Sequence, residues 1–123
     1  MSTVHVNISN DTLEFENSAG SKRAIPRNVG KIRFQVHGWN SSPSISRLTF
    51  REFRIASLQP NGSFAKGALV GAKPAYVVVA GAAPSPWINW PAPTFPRLVA
   101  FEVQMEFVDG YVLTIDPVID DRP

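Results

Sequence analysis

The sequence predicts an all-β protein, a single-domain antiparallel β-sandwich of about eight strands. Three observations lead there. Apolar and polar residues alternate in several runs, the mark of strands with one buried and one wet face. Turn clusters rich in Gly, Pro, Asn and Asp separate those runs at intervals usual for sandwiches. No segment keeps a convincing helical period for longer than a turn. The expected arrangement is immunoglobulin-like or jelly-roll, with an eight-stranded β-barrel as the alternative. One domain over residues 1–123 is large enough to bury a core without a metal or disulfide staple.

Val4, Val6 and Ile8 alternate with His5 and Asn7, and the alternation resumes at Leu13 and Phe15. Pairing Ile8 with Leu13 sets Val6 opposite Phe15 and puts all four on one face of a hairpin with a four-residue loop. Residues 17–30 are polar, with two glycines and a proline, and read as a connection with at most a short edge segment at Ala24 and Ile25. In the next strand Ile32, Phe34 and Val36 point one way and Lys31, Arg33, Gln35 and His37 the other. Residues 38–44 form a turn cluster around Trp39. Beyond it the phase slips, because Leu48 and Phe50 are even-numbered whereas Phe53 and Ile55 are odd. A β-bulge near Arg51 and Glu52 returns both pairs to one face. A helix over residues 48–58 competes with this, but Thr49, Phe50, Phe53 and Ile55 favour strand and no cap precedes them.

Gln59 to Ser63 is a turn, and residues 64–71 are a weak segment. Pro74 opens Ala-Tyr-Val-Val-Val-Ala-Gly, whose unbroken valines suit a central strand buried on both faces. The stretch 81–97 follows, with five prolines around Trp87, Trp90 and Phe95 and no charge before Arg97. Proline fixes its own φ and removes a donor, so a long, stiff, apolar loop is expected. After it, Phe101, Val103, Met105 and Phe107 face inward and Glu102, Gln104 and Glu106 outward. A two-residue Asp-Gly turn would set apolar residues against polar ones. A three-residue Val108-Asp109-Gly110 loop instead pairs Phe107 with Tyr111, Met105 with Leu113 and Val103 with Ile115. That predicts a type I turn closed by a left-handed Gly110. From Pro117 the chain is expected to leave the sheet as an acidic tail.

The residues available for chemistry are few. There is no cysteine, which removes disulfides, thiolate metal sites and cysteine nucleophiles together. His5 and His37 sit on wet strand faces, far apart in sequence. The pairs Glu14 with Glu16 and Glu102 with Glu106 share wet faces, where a carboxyl keeps an ordinary pKa unsuited to acid-base work. Asp116, Asp120 and Asp121 match no cation-binding loop. No phosphate loop, nucleophile elbow or nucleotide motif occurs. The expectation is a protein that is not an enzyme, with no cofactor and no metal.

The formal charge is +2, but its distribution is lopsided. Eight basic residues between Lys22 and Arg54 face only Glu52, whereas six acidic residues between Glu102 and Asp121 face no cation. The favoured reading is cross-strand pairing over a solvated sheet face. The sharper one is head-to-tail contact between one copy's basic face and the next copy's acidic end. Lys31, Arg33, Arg51 and Arg54 form a secondary candidate basic face, but Phe34, Phe50 and Phe53 alternate away from it, so nucleic acid is not favoured. Asn-x-Ser/Thr triplets at Asn7, Asn10, Asn40 and Asn61 read as turn chemistry. No apolar run is a good membrane span, because Lys73 and Pro74 break the longest. The opening residues lack a basic region followed by an apolar run, so no signal peptide is expected and the leaning is cytoplasmic. Export without a cleaved signal and incorporation into a virus particle stay open.

Trp87, Asn89, Trp90 and Phe95 are the candidate binding residues. They have three readings: a plug for one end of the sandwich, a contact for a second copy or another protein, and a sugar-stacking platform. The plug reading ranks first for the loop itself. For the whole protein the expectation is a non-enzymatic interaction and assembly module, homo-oligomeric, touching partners through the loop. A small lectin-like carbohydrate-binding module is the alternative.

Overall fold

The computed structural model describes residues 2–9, 12–15, 23–24, 31–70, 75–81, 84–90 and 97–121. Among them lie β1 (Ser2–Ser9), β2 (Thr12–Phe15), β3 (Arg23–Ala24), β4 (Lys31–His37), β5 (Ile45–Leu58) and β6 (Phe64–Leu69). Then come β7 (Ala75–Val79), β8 (Ile88–Asn89), β9 (Arg97–Phe107), β10 (Val112–Ile115) and β11 (Val118–Asp121). A single 3-10 turn spans Trp39–Ser41, and no α-helix occurs among the described residues.

Two sheets pack face to face as an all-β sandwich, and among the described residues no ladder closes them into a barrel. The smaller has the order β2-β1-β4-β8, and the larger is built on β3-β11-β9-β5-β6. In the larger sheet β5 and β9 are long and central. The outer edge of β9 pairs with β11 over Arg97 to Ala100 and with β10 over Val103 to Glu106. The outer edge of β5 pairs with β7 over Arg47 to Arg51 and with β6 beyond Arg54. Each long strand thus has two short strands laid end to end against it. Most pairings are antiparallel, but β1 runs parallel to β4 and β3 parallel to β11.

The core lies between the sheets and is aromatic at its centre. Phe34 of the smaller sheet stacks on Phe50 of the larger at 4.2 Å between ring centroids. Phe53 and Phe101 stack at 5.1 Å beside them, and Phe15 meets Phe101 edge-on at 5.8 Å. These rings are all buried, with the inward aliphatics Val6, Ile8, Ile32, Leu48, Val103 and Met105 around them.

Several local expectations are met in detail. Val6 lies opposite Phe15 and Ile8 opposite Leu13, and the ladder runs one pair further to Ser9 and Thr12, which shortens the loop. At Arg51 to Arg54 the register of β5 slips against β9, and Glu52 takes a φ of 58°. That extra residue restores Phe53 to the core. At the other hairpin Met105 faces Leu113 and Val103 faces Ile115. Gly110 has a φ of 92°, and the Phe107 N–H donates to the Tyr111 carbonyl at 2.9 Å.

Two expectations fail. The strand β7 is not central, because among the described residues it pairs with β5 alone. Tyr76 and Val78 are buried while Val77 and Val79 stand out in solvent. An unbroken apolar run says that a strand could be covered on both faces, not that it is. Nor does the chain leave the sheet at Pro117. The Pro117 carbonyl accepts from the Phe101 N–H at 3.1 Å, and β11 pairs with β9, burying Val118 and Ile119.

Candidate functional site

The described middle of the proline-rich stretch, residues 84–90, has an inner and an outer side. Between Pro86 and Pro91 four residues are free of proline, and their alternation decides what each does. Ile88 and Asn89 form β8, the edge of the smaller sheet, with Ile88 opposite Ile32 and Asn89 opposite Lys31. Ile88 and Trp90 point into the core, and Trp87 and Asn89 point out. Ser85 fixes the start of this segment: its Oγ accepts from the Phe34 N–H at 2.8 Å, and its own N–H donates to the Phe34 carbonyl at 2.9 Å. Buried polar groups need such partners, so Ser85 prolongs the sheet where the backbone alone stops.

Trp90 is 0% exposed and meets Phe53 edge-on at 5.8 Å. It cannot be a surface platform. Trp87 is 37% exposed, and the Arg33 guanidinium lies over its ring at 4.4 Å. Asn89 is exposed, and Phe95 lies outside the described residues. Of the four candidates, then, Trp87 and Asn89 share the outer face of the smaller sheet and Trp90 belongs to the core. The plug reading describes Trp90 well.

The candidate basic face does not form. Lys31 and Arg33 are on β4 in the smaller sheet, and Arg51 and Arg54 on β5 in the larger. Arg33 Nε donates to Thr3 Oγ1 at 3.1 Å, beside a stacked His5–His37 pair whose Nδ1 and Nε2 are 2.9 Å apart. The parallel pairing of β1 with β4 brings these distant histidines together. A local sequence pattern carries no sign of it. No group of three or more potential metal ligands gathers among the described residues.

On the outer face of the larger sheet the opposite charges pair across β5 and β9. Arg47 holds Glu106 through two hydrogen bonds, the second at 3.0 Å, and Arg51 reaches Glu102 at 3.4 Å. Glu52 at the bulge also takes Arg54 at 3.1 Å. Much of the lopsided charge is therefore met within one molecule. The hydrogen bond from Arg47, together with its charge, holds the Glu106 carboxyl below the usual carboxylate range, against a smaller opposing effect of burial.

A carboxyl lowered in the folded state stabilises at neutral pH and loses that contribution as pH falls through its folded pKa. The loss begins near the ordinary glutamate value of about 4.3 and continues below it. Thermal melts of the wild type and Glu106→Gln should therefore differ at neutral pH and converge on the acid side. Added salt should shrink the neutral difference, because the pair is exposed. A difference unchanged by pH would show that the carboxylate charge contributes nothing.

Apolar side chains also stand in solvent on this sheet. Val77 and Val79 on β7 are 46% and 47% exposed, and Val112 and Leu113 on β10 are 44% and 38%. Tyr111 and Val108 extend this second group along the hairpin. Sequence reasoning missed both groups, placing β7 in the interior and Leu113 against a covered face. Fold and site together define a β-sandwich whose larger sheet exposes apolar side chains along β7 and β10, with Leu58 and Leu69 also exposed at the β5–β6 end. Comparison with protein-family models, curated proteins and solved structures gave no match.

Proposed function

We propose that the protein is a non-enzymatic β-sandwich module that acts through protein contacts and associates with copies of itself. The observation that supports this reading is the exposed apolar side chains of two edge strands, β7 and β10, on a sheet where Arg47, Arg51 and Arg54 already have carboxylate partners. Exposed strand edges with apolar side chains are templates for association, and proteins that stay monomeric normally blunt them. The expected contact through the proline-tryptophan loop has less to support it. Of its candidate residues Trp90 is spent inside the domain, which among the described ones leaves Trp87 and Asn89 outward. A sugar platform is weaker still, since Arg33 already occupies a face of Trp87.

The test is native mass by sedimentation over a wide range of protein concentration. Association that grows with concentration is the expected result. A chain that remains monomeric over the whole range would overturn the reading.

A further inference from the structure

We propose that self-association is head to tail, with β10 of one copy pairing antiparallel with β7 of the next so that the larger sheet continues from molecule to molecule. This rests on the reading above and names the surface. Four described strands stand side by side in the order β7-β5-β9-β10, each antiparallel to its neighbour. Their rows can be followed across the sheet. Val79, Arg47, Glu106 and Val112 form one outer row, and Val77, Thr49, Gln104 and Thr114 another. The inner rows are Val78, Leu48, Met105 and Leu113, then Tyr76, Phe50, Val103 and Ile115.

Strand direction alternates along this series, so a second copy placed in line presents its β7 antiparallel to the first copy's β10. Continuing the rows sets Val112 beside the next copy's Val79, Leu113 beside its Val78, Thr114 beside its Val77 and Ile115 beside its Tyr76. Every pair is apolar or β-branched, the composition that stabilises neighbouring strands. Among the described residues β7 pairs with β5 alone and β10 with β9 alone, and this contact gives each strand a second neighbour.

Three other edges carry protection. β2 carries Glu14, β6 carries Lys66 in its middle although Leu69 at its end is exposed, and β8 is two residues long between Pro86 and Pro91. Charges and prolines are the usual protection against edge pairing. β7 and β10 hold neither. A two-fold pairing of β10 with β10 would leave Val77 and Val79 uncovered, whereas the head-to-tail arrangement uses both groups. Such a heterologous contact closes into a ring or runs on as a filament. Each junction is only four or five residues long, so it is weak singly and concentration-dependent.

The experiment compares the wild type with two variants altered at exposed positions, Val77→Lys with Val79→Lys on β7 and Val112→Lys with Thr114→Lys on β10. Circular dichroism and thermal melts establish that each variant is folded. Sedimentation of the wild type should show species larger than dimers, and each variant alone should lose at least about tenfold in association, or roughly 1.4 kcal/mol per junction. Mixed in equal amounts, the variants should form a pair and stop there, because one intact β10 meets one intact β7. Three results would overturn the proposal while leaving the module reading standing: a β7 variant that dimerises as well as wild type, variants that both assemble normally, or a mixture that forms no pair. A wild type that never associates would overturn both.

Discussion

Trp90→Ala should lower the stability of the fold by about 3–5 kcal/mol, the usual cost of deleting a fully buried large aromatic. Trp90 is the largest side chain with no exposure, and it closes the core beyond Phe53, where β8 ends. Neither neighbour can easily collapse into the space. Phe53 is held by its stack on Phe101, and Ile88 is held by the pairing of β8 with β4. In thermal unfolding the loss should appear as a fall on the order of 10–20 °C. The companion variant is Trp87→Ala, which gives up partial burial and the Arg33 contact. Stacking of a cation on an exposed ring is worth about 0.5–1 kcal/mol, so this loss should be several-fold smaller. The two tryptophans are three residues apart in one proline-rich segment, and equal losses would mean that the alternation through Ile88 and Asn89 is wrong.

That alternation shows what was legible in the chain and what was not. Trp87, Ile88, Asn89 and Trp90 form a proline-free window in which period two can operate, yet the surrounding prolines made the whole stretch look like loop. The hairpins were legible because register there is local: apolar Val6, Ile8, Leu13 and Phe15 admit one pairing that buries all four, and Gly110 fixes the length of the second turn. The bulge at Glu52 was legible because a phase slip between Phe50 and Phe53 has a single economical cause. Edge or centre was not legible for β7, since Tyr-Val-Val-Val reads alike in both settings and the choice depends on which strands lie beside it. Nor was the parallel pairing of β1 with β4, which brings His5 to His37 across residues that share no local pattern. The apolar edges became visible only with strand order. Charge pairing on the larger sheet, by contrast, followed from sequence because basic β5 and acidic β9 needed only to be neighbours.

Gly38→Ala should be the most damaging glycine-to-alanine change among the described residues, costing roughly 3 kcal/mol or more. Two separate effects contribute. Gly38 ends β4 with a φ of 88°, in the left-handed region, where a Cβ alone costs about 1–2 kcal/mol. The same Cβ would stand 2.2 Å from the Ile8 carbonyl oxygen. That oxygen belongs to the backbone of β1, which is tied to β2 on one edge and β4 on the other, so it cannot move aside as a side-chain tip would. It also accepts from Ser41 Oγ at 3.0 Å, and the Gly38 carbonyl accepts from the Ser41 N–H at 3.0 Å. Displacing Gly38 therefore disturbs the whole 3-10 turn and its hold on β1. Gly62 separates the two effects, because its φ is 84° but nothing lies within 4 Å of an added Cβ. Gly62→Ala should show the backbone strain alone. If chemical denaturation gives the two alanine variants equal losses, contact with Ile8 contributes nothing and the close approach of the turn to β1 is not what requires glycine at position 38.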